Sequence, residues 1–127
     1  WHVNCHSMPA VASADGQSKV GAEFVLGDRD GTTCAPEFTL LIQDTLRNLG
    51  YSVQINIPYK GVELVRAYSN PKIERHSIQI EICRSLYMDE TSFRKTDGFG
   101  DLKSNLTKLA AVICSYARES SLDITAG

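Results

Sequence analysis

His76-Ser77-Ile78-Gln79-Ile80-Glu81-Ile82-Cys83 alternates apolar and polar side chains strictly enough to read as a β-strand. Ile78, Ile80 and Ile82 share one face, and Gln79 and Glu81 share the other. A carboxylate in so apolar a strand has to be offset by a cation, by hydrogen bonds or by a raised pKa. Glu81 is therefore the first candidate for chemistry. The second is His6, in Asn4-Cys5-His6-Ser7-Met8-Pro9 near the other end of the chain. A function using both requires the fold to join residues far apart in sequence.

Outward from that strand, the chain reads as alternating strands and helices. Residues 1–6 are expected to form a first strand ending at Ser7-Met8-Pro9, and residues 9–21, rich in Ala, Ser and Gly, a mobile loop. Glu23-Phe24-Val25-Leu26 reads as a second strand closed by Gly27-Asp28. Pro36 suits the first turn of a helix whose apolar face is Phe38, Leu41, Ile42, Thr45, Leu46 and Leu49, with Gly50 as its stop. A third strand is expected over 51–56 and a short helix over 62–69. A final helix over 99–120 carries Leu102, Leu106, Leu109, Ile113 and Tyr116. This order predicts an α/β fold with a mixed, largely parallel sheet flanked by helices. In such a sheet, ligands sit beyond the carboxyl ends of the strands. His6-Ser7, Asp28-Arg29 and Asn56 with Tyr59-Lys60 are expected to converge there.

The 127 residues suffice for one domain with a core. A net charge of −2 and a pI near 5.9 give no electrostatic reason to expect a nucleic-acid or membrane partner. No apolar run reaches the length of a membrane span. Trp1-His2-Val3-Asn4-Cys5-His6 is neither a signal peptide nor an initiating methionine, so residues 1–127 are expected to be a partial domain of a longer, cytoplasmic protein. Cys5, Cys34, Cys83 and Cys114 contain no Cys-x-x-Cys pair and are expected to be free thiols. Cys5, Cys83 and Cys114 lie in apolar runs and are expected to be buried.

Several chemistries are excluded or unsupported. His2 and His6, four apart on a strand, would stand about 13 Å apart, too far to chelate one ion. Counting an EF-hand loop from Asp28 puts Thr33 and Thr39 where Gly and Glu are needed. There is no Gly-x-Gly-x-x-Gly and no Walker loop for a nucleotide phosphate. Ser7 assembles into no hydrolase triad, and Pro58-Tyr59-Lys60-Gly61 also reads simply as a turn. On residue chemistry alone, a lone His6 is more often a hydrogen-bonded structural histidine than a metal ligand.

Taken together, five segments resemble the N-formylglutamate amidohydrolase family: Cys5-His6-Ser7-Met8-Pro9, Asp28-Arg29-Asp30-Gly31-Thr32, Asn56-Ile57-Pro58-Tyr59-Lys60-Gly61, Arg75 to Glu81, and Leu86-Tyr87-Met88-Asp89-Glu90. They stand in the family's order, over what corresponds to its carboxyl-terminal half. That family is similar in fold to zinc carboxypeptidases and aspartoacylases, so the resemblance implies a zinc-exopeptidase-like (phosphorylase/hydrolase-like) domain. It implies a zinc-dependent hydrolase that cleaves N-formyl-L-glutamate, or a similar N-acyl amino acid, to formate and the amino acid. His6 would be the last of three protein ligands to zinc, and Glu81 the carboxylate that moves a proton from water to the leaving amine. Arg29, Asn56, Tyr59, Lys60 and Arg75 are candidates to hold the carboxylates of the substrate.

Two features depart from the family pattern. The first two zinc ligands would lie upstream of Trp1, so this chain alone is expected to be inactive. Asn4 stands where many members carry Asp, which bears on how His6 is oriented. Alternative readings are a related zinc amidohydrolase or carboxypeptidase-like enzyme with another substrate, and a non-catalytic α/β scaffold. Sheet surface left exposed by a partial domain is expected to promote self-association.

Overall fold

The structure, a computed structural model, describes residues 1–10 and 21–125. The loop expected over 9–21 falls almost wholly outside the described residues. In chain order the elements are β1 (His2–Met8), β2 (Phe24–Gly27), α1 (Pro36–Asn48), β3 (Val53–Ile55), α2 (Glu63–Ala67), β4 (Ser77–Cys83) and α3 (Gly98–Thr125). Single 3-10 turns at Pro71–Ile73 and Arg84–Leu86 flank β4.

The sheet has four strands in the order β1-β4-β2-β3. β1 runs parallel to β4 and β2 parallel to β3, while β2 and β4 are antiparallel. The sheet is thus mixed, as expected, but its directions correct the expected convergence of strand ends. The carboxyl end of β1 points one way and those of β2 and β3 the other. His6 and the Asp28 and Asn56 turns lie toward opposite ends of the sheet. Alternation within a strand carries no information about the direction of its neighbour, so the sequence could not supply this.

Period-two alternation does divide the faces of β4. Ile78 and Ile80 are fully buried with Phe24, Leu26, Phe38, Ile42, Leu46, Leu102 and Leu109, and Ile82 packs at the margin. Each such side chain contributes about 1.5–3 kcal/mol through burial. α1 presents Phe38, Ile42 and Leu46 to this core at intervals of four. Its first turn holds Pro36 and Glu37 and its last turn Arg47, matching the helix dipole, and Gly50 adopts φ +97° just beyond it. The first free N–H of α1, on Ala35, donates to Nδ1 of the buried His76 (3.0 Å), whose Nε2–H then donates to Glu74 (3.1 Å). Trp1 stacks on the same imidazole at 4.3 Å between ring centres, which anchors the start of β1 to α1.

Some boundaries differ from expectation. β3 is confined to Val53–Ile55, because Asn56 turns out of the strand at φ +59°. α3 starts at Gly98 and runs to Thr125, beyond 99–120. Only Leu102 and Leu109 of its stripe are buried, while Leu106, Ile113 and Tyr116 pack against the core edge. All four cysteines are free, as expected, yet only Cys34 and Cys83 are buried. Cys5 lies on the edge strand and Cys114 on the outer side of α3, so both are exposed, against expectation. Burial pushes the Cys34 thiol up to about 11. Among the described residues no helix is long and apolar enough to cross a membrane.

Ile80 should be the most sensitive position of the sheet, because its face has no solvent to relax into. Ile80→Ala is expected to cost about 2–5 kcal/mol of unfolding free energy in urea titrations. A loss under about 1 kcal/mol would show that this face is not close-packed.

Candidate active site

The second face of β4 is buried and polar. Ser77 (0% exposed), Gln79 (1%) and Glu81 (5%) point the same way along it, followed by Cys83. The register of β1 sets His2 opposite Ser77, Asn4 opposite Gln79, His6 opposite Glu81 and Met8 opposite Cys83. Paired residues in adjacent strands lie on one face, so the parity of this register builds a cross-strand ladder of polar groups. His2 Nδ1 and Ser77 Oγ are 2.7 Å apart, and Asn4 Nδ2 donates to Gln79 Oε1 at 3.3 Å. His6 Nδ1 stands 3.4 Å from Glu81 Oε1.

Glu81 is held from three sides. Gln79 Nε2 donates to its Oε1 at 2.6 Å, the His6 imidazole faces it, and Arg84 acts at longer range. These stabilise the carboxylate, but its removal from water outweighs them and raises its pKa above the ordinary glutamate value. A carboxyl raised by burial, beside an imidazole open to solvent (His6 side chain 40% exposed), is suited to taking up a proton and returning it. Arg84 was not singled out from sequence. Its Nε donates to Glu90 Oε1 (2.9 Å), while Glu90 Oε2 accepts the Ala10 N–H (3.1 Å), so this pair ties the exit of β1 to the exit of β4. The only sequence signal was Glu90 in the Leu86–Glu90 segment.

The loop 56–62 links the two ends of the sheet. It leaves β3 at Asn56, folds back across Gly27 and reaches β4, where the Val62 N–H donates to Gln79 Oε1 at 3.1 Å. Tyr59 packs on Met8, Val25 and Cys83, and Val25 pairs with Glu81 in the sheet. Tyr59 therefore lies on the same face as Glu81. Asn56 is engaged elsewhere: its Nδ2 donates to Asp28 Oδ1 (2.7 Å) and its Oδ1 accepts the Asp28 N–H (3.1 Å). Thr39 Oγ1 donates to the second oxygen of the buried Asp28 at 2.8 Å. Arg29 donates to the Gly61 carbonyl (3.0 Å), and Lys60 pairs with Asp30 in the open (2.8 Å). Arg75 is exposed just before β4, roughly 20 Å of strand from Glu81. Of the seven expected site residues, His6, Glu81 and Tyr59 are brought together. Lys60 follows Tyr59 on the loop, and Arg29, in the turn after β2, reaches that loop through the Gly61 carbonyl, while Asn56 and Arg75 stand apart.

The donors on this face do not by themselves form a zinc site. His2 is spent on Ser77 at the far end of the ladder. Among the described residues no three His, Cys, Asp or Glu side chains gather at metal-binding distance. His6 brings one imidazole, and Asn4 Nδ2 sits 3.2 Å from its Nε2. A groove of about 710 Å³ lined by Cys5, His6, Ser7, Ile82, Leu102 and Leu106 runs along the apolar side of β1, and His6 is the one residue it shares with the Glu81 face.

Comparison with known proteins adds a second line. The family model described as N-formylglutamate amidohydrolase matches residues 1–88. The chain is 34% identical over 70 residues to the N-formylglutamate deformylase of Pseudomonas putida, covering 54% of this chain and 26% of that protein. It is 32% identical over 69 residues to the N-formylglutamate deformylase of Pseudomonas aeruginosa, with the same coverage of 54% and 26%. The crystal structure of N-formylglutamate amidohydrolase from Ralstonia eutropha JMP134 superposes with a TM-score of 0.87 at 45% identity, covering 94% of this chain and 44% of that one. The chain thus spans about a quarter of these curated relatives in the matched region, and under half of the solved one.

Close backbone approach is what lets the loop reach Glu81's face. A Cβ on Gly27 would stand 2.6 Å from backbone atoms of both Lys60 and Gly61. Gly27→Ala is expected to lift the loop, cost about 1–3 kcal/mol, and speed amide exchange at Arg29, whose N–H donates to the Lys60 carbonyl. Unchanged exchange at Arg29 would mean that the loop is not seated on β2.

Proposed function

Since the chain belongs to the N-formylglutamate amidohydrolase family, matched over residues 1–88, we propose that the protein hydrolyses the formyl amide of N-formyl-L-glutamate, or of a similar N-acyl amino acid, to formate and the free amino acid. The observation that carries this reading is a buried carboxylate, Glu81, whose pKa is raised by desolvation and which faces His6 across a strand pair. Ionised Glu81 takes a proton from the attacking water. The protonated carboxyl then donates it to the departing amine nitrogen, so that the amine leaves as a neutral group. Tyr59 is the best placed of the expected substrate contacts; Lys60, next to it on the loop, and Arg29, in the turn after β2, would meet substrate carboxylates by releasing Asp30 and the Gly61 carbonyl. Asn56 and Arg75 enter the proposal through the family resemblance alone.

Zinc belongs to the proposal through His6 only, as the one ligand these residues supply. The remaining ligands would come from the portion of the family outside the described residues. For that reason residues 1–127 on their own are proposed to release no formate at enzymatic rates. Self-association along the free edge of β1 is proposed for the same chain, since β1 ends the sheet.

In the protein at its full natural length, Glu81→Gln is expected to keep the fold and lower formate release by about 10²–10⁴-fold. Because the ionised form accepts the proton, kcat/KM should fall as pH drops through the Glu81 pKa. The raised value places that acid limb above the ordinary glutamate range. Wild-type turnover in Glu81→Gln would overturn the assignment. His6→Ala should lose bound zinc by elemental analysis, and full retention would remove His6 from the ligand set.

A further inference from the structure

Gln79 lies at the junction of every element that meets on the polar face. Its side chain is 1% exposed, and each of its polar atoms is engaged. Oε1 accepts the Val62 N–H at 3.1 Å and the Asn4 amide at 3.3 Å. Nε2 donates to Glu81 Oε1 at 2.6 Å. The amide can sit only this way round. Reversal would point NH2 at two donors and a carbonyl oxygen at a carboxylate. The main-chain position of Val62 therefore sets the amide plane, and the amide plane sets the rotamer of Glu81.

We propose that Gln79 is a positioning residue that ties loop 56–62 to the Glu81 carboxylate, so that the acid–base group is correctly aimed only while the loop is seated. The inference rests on the amide-hydrolase reading for its catalytic consequence, although the tether itself does not. The loop carries Tyr59 and Lys60, so a substrate that holds them acts on Glu81 through one hydrogen-bonded chain: Val62 N–H to Gln79 Oε1, then Gln79 Nε2 to Glu81. A purely structural glutamine would stabilise the face without making turnover depend on the loop's backbone. Misplacing a general base by a fraction of its hydrogen-bond reach costs far more rate than stability.

The two ends of the tether can be cut separately. Gln79→Met keeps the volume and removes both hydrogen bonds. Val62→Pro removes only the loop's N–H, at a 40% exposed position whose φ of −81° proline accepts. In the full-length protein each is expected to lower kcat for N-formyl-L-glutamate by about 10- to 100-fold, and neither should lower it further in a Glu81→Gln background. Amide exchange at Val62 should accelerate in Gln79→Met. Equal factors in the wild-type and Glu81→Gln backgrounds, or an unchanged kcat in Val62→Pro, would overturn the proposal. Absence of deformylation by the wild type would instead overturn the amide-hydrolase reading. The tether is then decided by exchange alone: faster Val62 exchange in Gln79→Met supports it, and unchanged exchange overturns it.

Discussion

The register of β1 on β4 is the constraint on which the site depends. Because side chains alternate, a slip of one residue would turn His6 away from Glu81 and bring Cys5 or Ser7 to its face. Parallel pairing between segments so distant in sequence is not enforced by any turn. It is enforced by chemistry on both faces. Val3 packs with Ile78 and Ile80 on the core side, and Trp1 lies on His76 and Phe38 beside α1. On the other side His2 meets Ser77 and Asn4 meets Gln79. Only one register satisfies both faces at once, which is how an edge strand can be fixed without a hairpin.

Burying Glu81 is the energetic consequence of that arrangement. A charge on the interior face of a central strand is costly unless each of its neighbours contributes. Here the neighbours are an amide and an imidazole rather than a closely paired cation, so the carboxylate is oriented but not deeply stabilised. That balance keeps the group titratable instead of locking it into a salt bridge. Asp28 shows the contrast within the same sheet. Gly31 N–H, Asn56 and Thr39 all donate to it, and it closes the ends of β2 and β3 as a structural group.

Much of this was legible in the sequence where a local period or a stop signal carried it. The alternation through 78–82, the stripe of α1 with Pro36 before it and Gly50 after it, and the stripe of α3 each report one element's own burial. Glu81 stood out for the same reason, as a carboxylate in a strand too apolar to solvate it. What could not be read depends on partners. The sense of β2 against β4 decides that the strand ends do not converge. Asn56, named as a substrate contact, is engaged with Asp28 through a positive-φ turn that only the fold positions. His76 caps α1 from another element, and Cys5 is exposed because β1 is an edge, which its apolar neighbours in sequence do not disclose.

The central claim is that β1 and β4 pair in parallel with His6 opposite Glu81. Interstrand nuclear Overhauser contacts between backbone protons of residues 4–8 and 79–83 test it most directly. The account predicts contacts that place His6 level with Glu81 and Asn4 level with Gln79, with the His6 ring near the Glu81 side chain. A register shifted by one residue, or an antiparallel pairing, would contradict it, because His6 would then lie away from the buried carboxylate.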